Sequence, residues 1–438
     1  MYMQKYYFSK LTNKNREMLC SRAAVNFTAI LETIKPILQK VRSEGDEALL
    51  EYTALFDKVT LKELVVSESE TASGVAQVAP RLTAAIQNAA NNIRRFHEAQ
   101  LTQKISVETM PGILCSRESR PIERVGLYIP GGSAPLPSTV LMLGIPAQLA
   151  GCKEVILCTP PQKDGAVDPT ILYAAQVCGI TKIIKVGGAQ AVAALAYGTA
   201  SVPKVSKIFG PGNQYVTAAK MLVSVDPQGA AIDIPAGPSE ILVIADTEAR
   251  ADFVAADLLS QAEHGPDSQA VLVCTDEQKT DEILKEVDRQ LSELPRQTIA
   301  RQALEKSFAI VTSTVAEAIT FSNQYAPEHL LLNVKDAESY TAAIQNAGSV
   351  FVGAYASESA GDYASGTNHT LPTSGYAQMY SGVSVDSFLK YITFQQVTAA
   401  GVKNIGPIVT TIAKAEGLAG HERAMQLRID SLKTLWII

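Results

Sequence analysis

RVGLYIPGGSAPLPSTVLM, residues 124–142, sets the fold. A short apolar strand, RVGLYIP (124–130), meets a glycine- and proline-rich loop, and an apolar helix follows, running to Gly151. The same order recurs downstream. EVILCTP (154–160) is strand-like, TKIIKV (181–186) runs into GGAQ and the alanine-rich AVAALAYG, and KIFGPG (207–212) runs into NQYVTAAKMLV. Strand, glycine turn and helix in repetition predict parallel βαβ units and a doubly wound sheet. Ligands of such sheets sit beyond the carboxyl ends of the strands. A second α/β layer is predicted from SEILVIA (239–245), QAVLVCT (269–275), FAIVTS (308–313), HLLLNV (329–334) and GSVFVGA (348–354). Upstream, 28–56 and 80–100 have the apolar spacing of amphipathic helices, with His97 read as a boundary histidine at a helix end. Residues 355–387 lack periodicity, and 388–438 return to helical spacing.

Composition narrows the function classes. The 438 residues suggest several domains at roughly 150 residues each. A 47% hydrophobic share with 19% charged residues describes a globular chain with a real core. The net charge of −6 offers no basic excess to meet nucleic-acid phosphates. No apolar run has the length of a membrane helix, and residues 1–16 lack a secretory segment, so no membrane partner and a cytoplasmic location are expected. The six cysteines form no CxxC pair, and Cys158 and Cys274 sit in apolar runs as reduced thiols.

Chemistry gathers in a few places. ADFVAADLLSQAEH (251–264) is an amphipathic helix stopped by Gly265-Pro266, and its last turn presents Gln261 and His264 on one face. That is half of a metal site, although a histidine at a helix C-terminus also serves as a dipole partner. Asp362 and His369 lie in SAGDYASGTNHT, and His421 lies in EGLAGHERA with Glu416 five residues earlier. One Gln, two His and one Asp suit zinc or a similar divalent ion. Their spacing is that of no short zinc motif. Glu328 and His329 precede a run of leucines, where burial moves both groups toward neutral pKa and toward acid–base work. A strand-edge carboxylate beside a half-buried histidine is the plainer alternative. GPGNQYV (210–216) has the first two glycines of the dinucleotide fingerprint but not the third, and GGAQ (187–190) makes a generic anion turn.

Together these segments resemble the histidinol dehydrogenase family. The likeness is carried by RVGLYIPGGSAPLPSTVLM, KVGGAQAVAALAYGT, KIFGPGNQYV, DIPAGPSEILVIAD, DLLSQAEHGPDS, YAPEHL, GDYASGTNHTLPT and EGLAGHERA, in family order from about residue 120 to the end. The resemblance implies two incomplete Rossmann-like α/β domains. A helical N-terminal extension would span 1–27, a main domain 28–125 with 237–385, an NAD-binding domain 126–236, and a dimer-crossing C-terminal segment 386–438. It implies oxidation of L-histidinol through L-histidinal to L-histidine with two NAD reduced. One zinc per subunit would be held by Gln261, His264, Asp362 and His421 and would orient the substrate. His329 would take the alcohol proton and Glu328 would activate water. Ser239, His369 and Glu416 match substrate-contacting positions, and Tyr128, Gln190 and Asn213 match NAD-contacting ones. A homodimer is implied, with Glu416, His421 and His369 serving the other chain's site.

Three rivals make different demands. A zinc hydrolase would turn over without nucleotide. A thiol-dependent aldehyde dehydrogenase would need an activated cysteine near the catalytic loops. A non-catalytic imidazole-binding protein would have no use for Glu328 and His329.

Overall fold

A computed structural model of the chain describes residues 2–22, 27–131, 134–234 and 237–434. Residues 23–26 of the expected extension, and the tips of GGSAPLPS and DIPAGPSE at 132–133 and 235–236, lie outside the described residues. The chain forms two units, Met1–Gln100 with Ile122–Phe388, and Leu101–Pro121 with Leu389–Ile438.

Numbered along the chain, the strands begin with β1 (Gln4–Tyr7), β2 (Ile105–Met110), β3 (Ile113–Pro121), β4 (Arg124–Tyr128) and β5 (Glu154–Thr159). Then come β6 (Lys182–Lys185), β7 (Lys207–Phe209), β8 (Ala231–Ile232), β9 (Glu240–Ala245) and β10 (Gln269–Cys274). The last are β11 (Phe308–Val311), β12 (His329–Asn333), β13 (Ser349–Val352) and β14 (Leu389–Val397). The first unit holds two parallel sheets, ordered β1-β11-β10-β9-β12-β13 and β6-β5-β4-β7-β8. Each order reverses once, between β9 and β12 and between β4 and β7, which are the switch points of doubly wound sheets. The nine strands expected from sequence all form, with ends shifted by a few residues at most.

The apolar runs are explained by burial on both faces. Successive side chains of a strand point to opposite faces. Ile241, Val243 and Leu272 therefore join one core, and Leu242, Ile244 and Val271 another. The helix Phe27–Glu44 places Ile34 and Val41 in a third core with Ile156, Val192 and Ala219 of the smaller sheet's layer. So the early helices cover the β4–β8 layer, where 28–125 had been expected to belong to the main domain.

Three further expectations are corrected. The 1–27 extension is not wholly helical, because β1 adds a parallel edge strand to β11, with Gln4 opposite Phe308. Residues 101–121 leave the main body: β3 pairs antiparallel with β14 over nine residue pairs, Leu389 opposite Pro121 through Val397 opposite Ile113. Thus 389–397, expected to be helical, is a strand. His97 is fully buried, not at a boundary. It continues the spacing Ile86, Ala90, Ile93 on the inward face of the helix Pro80–Glu98, and its Nδ1 bonds the Ile93 carbonyl at 2.8 Å.

In the second unit, β14-β3-β2 make an antiparallel sheet, and the helices Ala399–Ala415 and Ala419–Thr434 pack together through Gly406, where a Cβ would meet Ile429 at 2.7 Å. Ile392, Phe394, Ile408, Ile412 and Leu427 are exposed. Among the described residues no helix is long and apolar enough to cross a membrane.

Candidate active site

The site begins with two strand ends. The helix Val315–Tyr325 is stopped by Ala326 in a left-handed conformation (φ 51°), and Pro327 then turns the chain into β12. This brings Glu328 and His329 against the first residue of β9, Glu240. The Glu240 N–H donates to Glu328 Oε2 at 2.8 Å, and the Glu240 carbonyl lies 3.1 Å from His329 Nδ1. A carbonyl only accepts, so Nδ1 carries the proton and Nε2 of the neutral ring is bare. Nε2 is buried, 3.4 Å from Asp362 Oδ1, and has no hydrogen-bond partner among the described residues. A buried nitrogen of this kind is reserved for something that binds.

Around this pair lies a cavity of about 440 Å³, lined by Ser239, Gln261, His264, Glu328, His329, Asp362 and His369. These residues, all singled out from sequence, lie before the 355–387 stretch and inside it. His369, expected to serve the other chain's site, instead lines the cavity of its own chain: its Nδ1 bonds the Asp362 carbonyl at 2.9 Å and its Nε2 lies 3.1 Å from Thr139 Oγ1, so it steadies the Asp362 turn. Glu416 and His421 belong to the second unit, where both are exposed.

Electrostatics make the pair reactive. Burial pushes the Glu328 carboxyl up to about 8, against the opposing pull of His329 and the Glu240 N–H. Burial alone would lower the His329 pKa, but Glu328, Asp362 and Glu358 outweigh it and hold the imidazole above its ordinary value, so Nε2 becomes bare only when the ring gives up the proton it holds towards Asp362. Burial lowers both His264 and His369, which favours the neutral, ligating imidazole.

Sequence reading missed Glu358 and Glu240. Glu358 sits in the short helix Glu358–Tyr363, inside the stretch that shows no periodicity. Its carboxylate, His264 and Asp362 bring donor atoms within 4.8 Å of one another. The oxygen of Gln261, the nitrogen of His264 and the carboxylate of Asp362 make a nitrogen-and-oxygen donor set that fits a divalent cation such as zinc, with Glu358 directly behind it. Glu240, read only as part of a strand, binds Arg22 through both carboxylate oxygens at 3.0 and 2.7 Å, and the guanidinium stacks on Tyr325. Only the i, i+3 spacing of Gln261 and His264 hinted at this neighbourhood.

A second cavity, about 750 Å³, opens at the carboxyl ends of β4 and β7 and is lined by Tyr128, Gly188, Gln190 and Asn213. Pro130, Asn213, Tyr215 and His264 line both cavities. The smaller sheet thus obeys the carboxyl-end rule, whereas the Glu328–His329 pair stands at the amino ends of its sheet, against expectation. The Gly188 N–H donates to the Tyr128 hydroxyl, and Asn213 caps the helix Gln214–Val225 through the N–H groups of Tyr215 and Val216. The two glycines of the loop have a steric reason. A Cβ on Gly212 would meet Val216 at 2.4 Å, and one on Gly210 would lie 2.0 Å from the Tyr128 carbonyl oxygen. Tyr215 stands at the position of the third glycine.

No cysteine lines either cavity among the described residues. Burial raises the Cys158 and Cys178 thiols, Cys178 to about 12, so neither is an activated nucleophile.

A paired-sheet α/β body with a buried carboxylate–imidazole couple beside a nucleotide-sized cavity defines an oxidoreductase. The chain belongs to the histidinol dehydrogenase family, whose profile matches residues 20–429. It is 54% identical over 432 residues to the chloroplastic histidinol dehydrogenase of Arabidopsis thaliana, covering 98% of this chain and 92% of that one. It is also 54% identical over 415 residues to the histidinol dehydrogenase of Bacteroides thetaiotaomicron, covering 95% and 96%. The crystal structure of histidinol dehydrogenase from Elizabethkingia anophelis superimposes with a TM-score of 0.94 at 53% identity, covering 99% of each chain. The family catalyses the final steps of histidine biosynthesis.

Proposed function

We propose that the protein oxidises L-histidinol through L-histidinal to L-histidine, giving up two hydrides in turn to NAD. The observation that carries this reading is the joining of the two cavities at Asn213, Tyr215 and His264, which sets the Glu328–His329 pair beside a groove suited to a dinucleotide. NAD, when bound along Tyr128, Gln190 and Asn213, would supply the hydride acceptor.

Bare Nε2 of His329 accepts the alcohol proton as the carbinol carbon gives up hydride. Nδ1 meanwhile stays tied to the Glu240 carbonyl, so the ring cannot swing away. Glu328 takes a proton from the water that adds to the aldehyde while protonated His329 returns its proton to the aldehyde oxygen, forming the hydrate from which the second hydride leaves. His329 is positioned to accept the proton of that hydrate in turn. Ser239 and His369 border the same space and would contact the substrate.

Gln261, His264 and Asp362 fit a zinc ion, one per subunit. The bound metal would supply a fixed positive centre to grip the imidazole and amine of the substrate. Glu416 and His421 of the partner subunit would complete the site in a homodimer with exchanged C-terminal segments. The exposed apolar residues of the second unit support such a contact.

The test mixes histidinol with NAD and counts NADH per substrate. A ratio near two, abolished by chelation and restored by zinc, is expected. Turnover without NAD would favour a zinc hydrolase, and a ratio near one would remove the second step.

A further inference from the structure

We propose that Glu358 is a positioning residue that orients the Gln261 amide, so that the amide oxygen faces the cation-binding cavity. This rests on the metal reading above and assigns the work of a residue that the reading leaves unused.

Glu358 is 1% exposed, and its carboxylate is held from several sides. Ser357 caps the helix it opens, and its main chain bonds the Asp257 carboxylate. Ser260 donates its hydroxyl to Glu358 Oε2 at 2.8 Å. Glu358 Oε1 lies 2.6 Å from the end of the Gln261 amide, whose other neighbour there is the Glu240 carbonyl at 3.3 Å. Both neighbours only accept hydrogen bonds, so the end that meets them is the NH₂. The oxygen therefore occupies the opposite end. Were the amide reversed, its oxygen would face a carboxylate and a carbonyl in a buried place, and such an arrangement is costly.

Closeness to His264 and Asp362 gives Glu358 a rival role as a ligand itself. Hydrogen bonding favours the positioning role: Oε1 accepts from the Gln261 NH₂ and Oε2 shares the Ser260 proton with the Asp257 carbonyl, so a cation on Oε1 would crowd the Gln261 NH₂. Partners that aim a metal ligand commonly change metal affinity by about 10–100-fold when removed. Glu358 also lies 3.6 Å from His329 Nδ1, so the carboxylate that aims the ligand also faces the base.

The test is a double-mutant cycle in zinc affinity, read by competition with a chromophoric chelator on the full-length enzyme. Glu358→Gln keeps the volume but gives up one acceptor, and zinc affinity is expected to fall about 10–100-fold. In the Gln261→Ala background the same change is expected to cost less than about threefold, because the amide it aims is gone. The cobalt-substituted Glu358→Gln protein should keep the band intensities of wild type, since the coordination number is unchanged. An undiminished loss in the Gln261→Ala background, or bands showing one ligand fewer, would make Glu358 a ligand and overturn the proposal. Unchanged affinity in the single variant would overturn it as well. Should Glu358→Gln fail to fold, Ser260→Ala, which removes the other clamp on the carboxylate, is expected to weaken zinc at least about twofold. No change there also overturns the role. Wild-type enzyme that holds no zinc would instead sink the underlying metal reading.

Discussion

Glu328→Gln separates the two oxidations. The side chain is nearly buried, and its Oε2 accepts the Glu240 N–H at 2.8 Å. A glutamine of equal volume keeps that bond through its amide oxygen, so the fold has little to lose. What disappears is a proton acceptor. General bases contribute about 10²–10⁴-fold, or roughly 2.7–5.4 kcal/mol at 1.36 kcal/mol per decade. Under the proposed roles that loss should fall on the aldehyde step, because the alcohol proton would go to His329. The substitution also removes a negative charge 3.7 Å from His329 Nδ1, one that helps to hold the imidazole pKa up. In the variant the imidazole should shed its proton at lower pH, which moves the acid limb of alcohol oxidation downward. In the wild type, aldehyde oxidation should climb with pH and level off near 8, where the buried carboxyl gives up its proton. The assay follows NADH from histidinal and from histidinol separately over pH 6 to pH 10. Equal damage to both substrates, or an unmoved acid limb, would refute the division of labour.

Other perturbations address different links. His329→Ala should slow the first oxidation by at least about 10²-fold in kcat, and a smaller loss in single-turnover NADH formation would remove its role as base. Gly210→Ala adds a Cβ 2.0 Å from a backbone oxygen at φ 122°, so a loss of about 3 kcal/mol or more is expected in urea unfolding, and less than about 1 kcal/mol would show the loop to be pliable. His97 has its pKa lowered by burial, so the unfolded chain binds the extra proton first as pH falls. Its stabilisation is complete above the ordinary value of 6.5 and is lost as pH drops below it. Urea unfolding at pH 8 and pH 5.5 should show a smaller pH difference for His97→Gln than for wild type, and identical differences would contradict its burial as a neutral ring.

Nine of the eleven strands of the two large sheets were legible in the sequence, all but β1 and β8, because parallel strands buried on both faces must be apolar throughout. ILVI in β9 and VLVC in β10 have few other uses. The site was half legible. Gln261 and His264 declare themselves by helical spacing, and Glu328–His329 by standing where a polar turn meets a leucine run. Glu358 and Glu240 were not legible, since their roles depend on contacts about a hundred residues away in the chain, Glu358 with Ser260 and Glu240 with Glu328. His97 was misjudged because its position at a helix end was weighed above its place in the Ile86–Ala90–Ile93 series. β1 and β3 were missed for the opposite reason. They are edge or solvent-facing strands, whose patterns lack the continuous apolar run.

The placement of the Glu328–His329 pair at amino ends, against the usual rule, follows from what the first residue of a central strand can offer. Glu240 still has an N–H and a carbonyl to spare for side chains before the ladder claims its neighbours, and Glu328 and His329 take one each. Those groups ride on β9, whose every residue is buried, so the acid–base couple inherits the rigidity of the sheet. The Glu240 side chain is locked in turn by Arg22 and by the Ser374 N–H at 2.8 Å. A loop could supply the same donors but not the same fixity. The other sheet offers its carboxyl ends, where the turns after β4 and β7 border the second cavity, which shares Asn213, Tyr215 and His264 with the first. In the proposed reaction the fixed Glu328–His329 pair would meet the nucleotide across that shared space, as two successive hydride transfers by one pair require.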